Sequence, residues 1–315
     1  MTQPMTHVQA VRATTRVREA SLGARLRRIV FRKSTLAFAL VLPLIVLIGG
    51  LILYPFGYSI YLSMLNKAET RFVGLDNFRF LFRRETFWMV VQQSVIFTVT
   101  AVFFKSLLGF ILAHLINVLP NKRQRLWRGL SLVPWVMPPA LSSLGWWWLL
   151  DPSYSAINWI ITSLGGVRIA FLADPYWARF SVILVNIWYG SPFFMIMYLA
   201  GLKSVPADLY EAAEIDGATR FQRLRYVTIP MMRNIIAVTV LFSTIVTFAN
   251  FDIVRVLTNG GPRGMTELFG TWAFKLGIQS GDIPQAAAVS LFLFPILAVL
   301  AFFILRNVSK RASEI

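Results

Sequence analysis

The sequence predicts an all-α membrane protein with six transmembrane helices. Three observations predict it. Hydrophobic residues make up 57% of the 315-residue chain and charged residues only 14%, whereas soluble domains run near about 45–50% and about 25%. Mean hydropathy is +0.63. Six apolar runs approach or exceed the roughly 20 residues needed to cross a bilayer: 36–56, 88–116, 130–150, 180–201, 234–253 and 284–305.

The elements follow in order. Residues 1–35 form a basic tail that holds Arg12, Arg16, Arg18, Arg25, Arg27, Arg28, Arg32 and Lys33 against a single acid, Glu19. The run beginning at Leu36 is longer than a signal-peptide core and leads into Tyr54-Pro55-Phe56-Gly57 without a small-residue cleavage site. It reads as an uncleaved anchor with its N-terminus inside. The segment 72–82 is apolar-rich and is expected at the membrane interface. Trp146, Trp147 and Trp148 close the third run as an aromatic belt. The fifth run is least clear at its far end, where Asn250 and Asp252 interrupt it.

Charge gives the orientation. With both termini cytoplasmic, segments 1–35, 117–129, 202–233 and 306–315 hold 8, 4, 5 and 3 Lys and Arg. The outside segments 57–87, 151–179 and 254–283 hold 5, 2 and 3. Such a bias is the retention of positive charge on the cytoplasmic side. It accounts for the net charge of +17 without nucleic acid, for which no folded basic domain is present. Zero cysteines exclude disulfides, thiolate metal sites and Cys nucleophiles.

The most informative segment is 202–233, polar and small between two apolar runs. Pro206 suits a first helical turn, and Asp208 and Glu211 favour a helix N-terminus. Ala212 and Ala213 are small enough for another protein to approach closely. Gly217 suits the left-handed residue that ends a helix, and Thr219-x-x-Gln222 reads as a capping box. Two short helices with a bend are expected, flanked by Arg220, Arg223 and Arg225, before Pro230 opens the fifth span.

The spacing of Glu211-Ala212-Ala213, Asp216-Gly217 and Val227-Thr228-Ile229-Pro230 resembles the EAA loop of ABC importer permeases. Tyr54-Pro55, Leu149-Leu150-Asp151-Pro152-Ser153-Tyr154 with Asn158, and Leu257-Thr258-Asn259-Gly260-Gly261-Pro262 extend the likeness. Chain 36–308 thus resembles the permeases of carbohydrate-uptake ABC importers, of the type I or MetI-like fold, and 309–315 is a short cytoplasmic tail. The Gly-Gly-Pro segment is similar to the maltose-type "F" permease rather than its "G" partner, without the large periplasmic insertion of the maltose permease itself. Val227 stands where Ile is usual and Ile229 where Leu is usual.

The resemblance implies a bacterial inner-membrane subunit that passes a sugar or sugar-like solute delivered by a periplasmic binding protein. It implies a second, different permease and two ATPase subunits as partners. The 202–233 loop, with Glu211, Ala212, Ala213, Asp216, Gly217, Arg220 and Pro230, would dock into the ATPase. No Gly-Lys dipeptide occurs, so a phosphate-cradling loop is lacking. ATP and Mg belong to the partner, and this chain is expected to carry no cofactor, metal or catalytic residue.

Polar and aromatic residues inside spans are candidates for the substrate path. Alignment with the family places Gly190, Phe193, Ser243, Thr247 and Asn250 where the maltose permease lines its sugar site, and Tyr189 joins Phe193 four residues away. Helix–helix hydrogen bonding is the competing role for such groups. Ser243, Thr247 and Asn250 are expected on one face of the fifth span, and Pro192 is expected to kink or break the fourth. Lys105 is expected to snorkel or to face a partner subunit, and His114 to lie at the interface. An ion-coupled secondary transporter is the alternative. It would need buried carboxylates or His relays, yet no Asp or Glu lies in the first four spans or the sixth. The identity of the sugar is not written in the sequence.

Overall fold

The computed structural model describes residues 33–312. The basic tail up to residue 32 and the last three residues lie outside the described residues. The chain separates into two compact units, residues 1–59 and 60–315.

The first unit carries α1 (Lys33–Ile48), a π-helical turn (Gly49–Leu53) and the start of α2 (Tyr54–Ser63). The first span therefore runs beyond residue 56. The π turn has a local cause. Pro55 lacks an N–H, and its ring crowds the carbonyl four residues back. The ladder widens just before it, and the Tyr54 N–H donates to Gly49 O, five residues back. Leu40, Leu44, Leu47, Leu51 and Leu53 are exposed, as a lipid-facing helix requires.

The second unit is helical among its described residues, apart from one isolated bridge between Leu65 and Phe72. Its helices are α3 (Asp76–Phe82), α4 (Glu85–Asn117), α5 (Asn121–Val136), α6 (Pro139–Leu150), α7 (Ala156–Ser163) and α8 (Pro175–Ser204). After these come α9 (Ala207–Ile215), α10 (Arg220–Arg223), α11 (Ile229–Phe248), α12 (Asp252–Leu257), α13 (Phe269–Phe274) and α14 (Ile283–Ala312). All six apolar runs are helical over most of their length. Among the described residues, four helices are long and apolar enough to cross a membrane, with a shorter apolar helix at Ile283–Val299.

The third run is not one helix. It divides at Met137-Pro138-Pro139, where Met137 (ψ 139°) and Pro138 (ψ 131°) are extended. A residue before proline is pushed out of the helical region, and two prolines in succession make the break. The fifth run divides too, at 249–251 between α11 and α12. The fourth does not: α8 continues through Pro192. The segment 72–82 is only partly superficial, since Leu81 of α3 is buried with Phe87 and Phe269.

The most extensive helix pairing is between α4 and α8. Gly109 makes it possible. A Cβ there would stand 2.3 Å from Phe194 Cβ and 2.9 Å from the Met195 backbone N. Small residues let membrane helices approach in this way. Phe194, Met195, Tyr198 and Leu199 are buried with Ala113 and Ile116. The Ser106 and Tyr198 hydroxyls are bonded at 2.7 Å. Toward the other end of α8, Val182, Val185 and Ile187 pack with Leu150 of α6 and Ile253, Val254 and Leu257 of α12.

Gly109→Ala must force backbone apart, an overpacking cost of about 1–3 kcal/mol. It is expected to lower the melting temperature of the purified protein by several degrees. Gly129→Ala, where an added Cβ meets nothing within 4 Å, should not lower it. Equal melting of the two variants would show that the α4–α8 contact is loose.

Candidate functional site

Two sites emerge: a cavity between helices and an exposed loop. The cavity lies where the two core clusters meet along α8. It has a volume of about 70 Å³, opens to one side, and is lined by all six residues singled out for the path: Tyr189, Gly190, Phe193, Ser243, Thr247 and Asn250. α8 and α11 thus bring their polar and aromatic faces to one space. Asn250, however, is not on the helical face with Ser243 and Thr247. It sits in the break after α11, its N–H donating to Thr247 O at 3.1 Å. Irregular backbone at membrane depth is tolerated where it lines a cavity.

Lys105, Trp135 and Asn186 line the same cavity; of these the sequence had pointed only to Asn186, as a polar residue within the fourth span. Lys105 corrects an expectation. It does not snorkel outward. It is 4% exposed, and its ammonium donates to Thr247 Oγ1 at 2.6 Å. Its direction is set by Gly190: a Cβ there would fall 2.4 Å from Lys105 Cδ. The lysine stem lies across the glycine and delivers its charge inward. Trp135 ends α5 just before the proline break; its ring centroid is 5.9 Å from that of Phe193, which lies 5.2 Å from Phe242. The Oδ1 atoms of Asn186 and Asn250 are buried without a hydrogen-bond partner. The cavity therefore presents a lysine amine, two open acceptors and an aromatic wall.

The loop is built as its residues dictate. α9 ends in a Schellman motif. Gly217 has φ +76°, its N–H donates to Glu214 O at 3.0 Å, and the Ala218 N–H donates to Ala213 O at 2.9 Å. The capping box is present: Gln222 N–H donates to Thr219 Oγ1 at 3.3 Å, and Thr219 N–H donates to Gln222 Oε1 at 2.7 Å. Arg223 pairs with Glu214 across the bend at 3.2 Å. The Tyr210 and Thr228 hydroxyls meet at 3.0 Å.

One expectation is modified. The second short helix is not separate from the fifth span. α10 runs through a π turn (Leu224–Thr228) into α11. Pro230 explains the turn as Pro55 does in the first unit: the Ile229 N–H reaches back to Leu224 O. Glu211, Ala212, Asp216, Gly217, Arg220 and Pro230 are exposed, and Ala213 is half-buried. Ile215 and Phe221 are apolar yet 86% and 73% exposed.

Residues 105–314 match the family of binding-protein-dependent transport system inner membrane components. A trehalose/maltose transport system permease protein from Thermococcus litoralis is 33% identical over 278 residues, covering 87% of this chain and 93% of that one. A bacterial ABC transporter structure, involved in the import of the acidic polysaccharide alginate, superposes with TM-score 0.77 at 25% identity, covering 91% of this chain and 99% of that one. The alginate transporter in complex with its alginate pentasaccharide-bound periplasmic protein gives 0.76 at 26%, with 89% and 96% covered. The chain belongs to the family of binding-protein-dependent transport system inner membrane components. It is a membrane permease subunit of an ABC importer, with the all-α, type I fold expected from its sequence.

The Lys105–Thr247 contact is testable by itself. Thr247→Val removes the acceptor of a buried ammonium, which costs about 1–3 kcal/mol. Adding Lys105→Met should restore most of the loss. Additive losses in this double-mutant cycle would show that the two groups do not interact.

Proposed function

We propose that this permease passes a sugar through the Lys105–Asn250 cavity and takes its conformational drive from an ATPase docked on the Glu211–Gly217 loop. Its partners would be a second, different permease, two ATPase subunits that bind ATP and Mg, and a periplasmic binding protein that delivers the sugar. The relatives' cargoes, trehalose or maltose and alginate, support a carbohydrate. Residues 36–308 would form the transport domain in a bacterial inner membrane, with 1–35 and 309–315 as cytoplasmic tails.

One observation carries the reading: the loop and the cavity share one continuous helical element. From Arg220 through the π turn to Thr247 the chain stays helical, a reach of roughly 40 Å at about 1.5 Å per residue. At its loop end this element is tied to α9 by Arg223–Glu214 and Tyr210–Thr228. At its cavity end it carries Ser243 and Thr247. Closure of the ATPase dimer would displace α9, and α10–α11 would carry the displacement to the cavity wall. That is a coupling free energy between two sites, used to alternate access. Exposed Ile215 and Phe221 supply apolar surface for docking, and Glu211 and Arg220 supply charge at its edge.

In proteoliposomes holding the whole importer, Gly217→Pro should abolish uptake, because proline cannot take the positive φ of this helix end. Glu211→Lys should weaken docking. Abundance should stay near normal in both, and full uptake by either would reduce the loop to a connector. Asn250→Ala should lower uptake and change the ranking of competing sugars while ATPase activity stimulated by the binding protein persists. Lower thermal stability with an unchanged ranking would instead assign Asn250 to helix packing.

Orientation has its own measurement. Cysteines placed at Ser21 and Ser313 should react only with reagents that reach the cytoplasm. Labelling of either from outside intact cells would reverse the topology.

A further inference from the structure

Lys105 forms no ion pair. The ion pairs among the described residues are Arg79–Asp76, Arg223–Glu214 and Lys275–Glu267, and none includes it. Its one hydrogen-bond acceptor is the Thr247 hydroxyl, which leaves two of the three ammonium donors unused. Among the described residues lining the cavity there is no carboxylate. The acid nearest in sequence to a lining residue is Asp252, two positions after Asn250; it is exposed at the start of α12 and acts electrostatically on Tyr189.

Keeping an ammonium at membrane depth without a counter-charge is expensive, and intramembrane charge usually marks function. A packing role is met more cheaply by Leu or Met. Nor is the lysine there by default, because its stem is threaded across Gly190, where any side chain would collide with it. Beside it, Asn186 is 4% exposed with an unpartnered Oδ1. The same space therefore holds a lysine amine with unused donors and open acceptors.

We propose that the cavity takes an acidic sugar, one that bears a carboxylate, and that Lys105 holds that carboxylate. This rests on the reading of the cavity as the substrate path. The Oδ1 atoms of Asn186 and Asn250 accept hydrogen bonds from sugar hydroxyls, and Trp135 and Phe193 cover an apolar ring face. Neutral sugars can satisfy the ammonium's donors but not its charge. A phosphate, with nearly two charges and three acceptor oxygens, exceeds what a single lysine offers. One ammonium matches one carboxylate. Thr247 keeps the ammonium in place between substrates.

The test uses the complete importer in lipid nanodiscs and three sugar pairs that differ only at C6: glucose and glucuronate, galactose and galacturonate, mannose and mannuronate. Equilibrium binding is read from tryptophan fluorescence, with Trp135→Phe as the control that places the response in the cavity. In the wild type at least one uronate should bind about 10-fold or more tightly than its neutral partner, as a charge-assisted hydrogen bond implies. Lys105→Gln should bring the pair to parity, and Lys105→Arg should keep the preference.

Equal binding within every pair by the wild type overturns the proposal alone, whatever the variants do. A preference that survives Lys105→Gln does the same, and assigns the charge recognition elsewhere. No saturable response to any sugar, or a response untouched by Trp135→Phe, overturns both the proposal and the assignment of the cavity.

Discussion

The rest of the second unit depends on how closely α4 approaches α8. Two glycines, one on each helix, set that distance. Gly109 of α4 receives Phe194 and the Met195 backbone, and Gly190 of α8 receives the stem of Lys105. Lys105 and Gly109 are one helical turn apart on α4; Gly190 and Phe194 are one turn apart on α8. The seam is therefore reciprocal: each helix offers a bulky residue and a gap, four positions apart. Between lipid-exposed helices the hydrophobic effect gives little drive for association, so close packing must supply it. The same contact that joins the helices also aims the lysine. Packing and the chemistry of the cavity are consequences of a single fit.

Around that seam, backbone irregularity gathers. α5 and α6 part at Pro138-Pro139, next to Trp135. α11 and α12 part at 249–251, where Asn250 lies. Both breaks deliver a cavity-lining residue. A straight helix would leave these side chains at fixed angular positions. A break lets the chain re-aim them. The π turns before Pro55 and Pro230 are milder answers to the same problem, since they widen the ladder without ending the helix. The second of them keeps α10 and α11 one element, which gives the exposed loop a mechanical route to the cavity.

The loop was legible in the sequence almost residue by residue. Gly217 takes its positive φ, Thr219 and Gln222 cap each other, and Pro206 precedes α9, all through contacts spanning no more than five residues. Local chemistry of that kind is written in order along the chain. The path residues Tyr189, Gly190, Phe193, Ser243, Thr247 and Asn250 were nominated by type and by family likeness. That they share one cavity follows from the docking of α8 with α11. Lys105 was read as an outward or partner-facing side chain, because a lone lysine in an apolar run says nothing about which neighbour it will meet. The collision-free groove at Gly190, some 85 positions later in the chain, supplies that answer.

Composition, the apolar runs and the local signals of Gly, Pro and Thr determined the class of fold, the six apolar stretches and the shape of the 202–233 loop. These depend on transfer of side chains to lipid and on hydrogen bonds between near neighbours, and both can be judged one segment at a time. Only the tertiary structure decided that the third and fifth runs are broken, that α8 passes unbroken through Pro192, and that Lys105 points inward to Thr247. Each of those outcomes depends on which helix packs against which, at what distance, and that is a property of pairs of segments far apart in the chain.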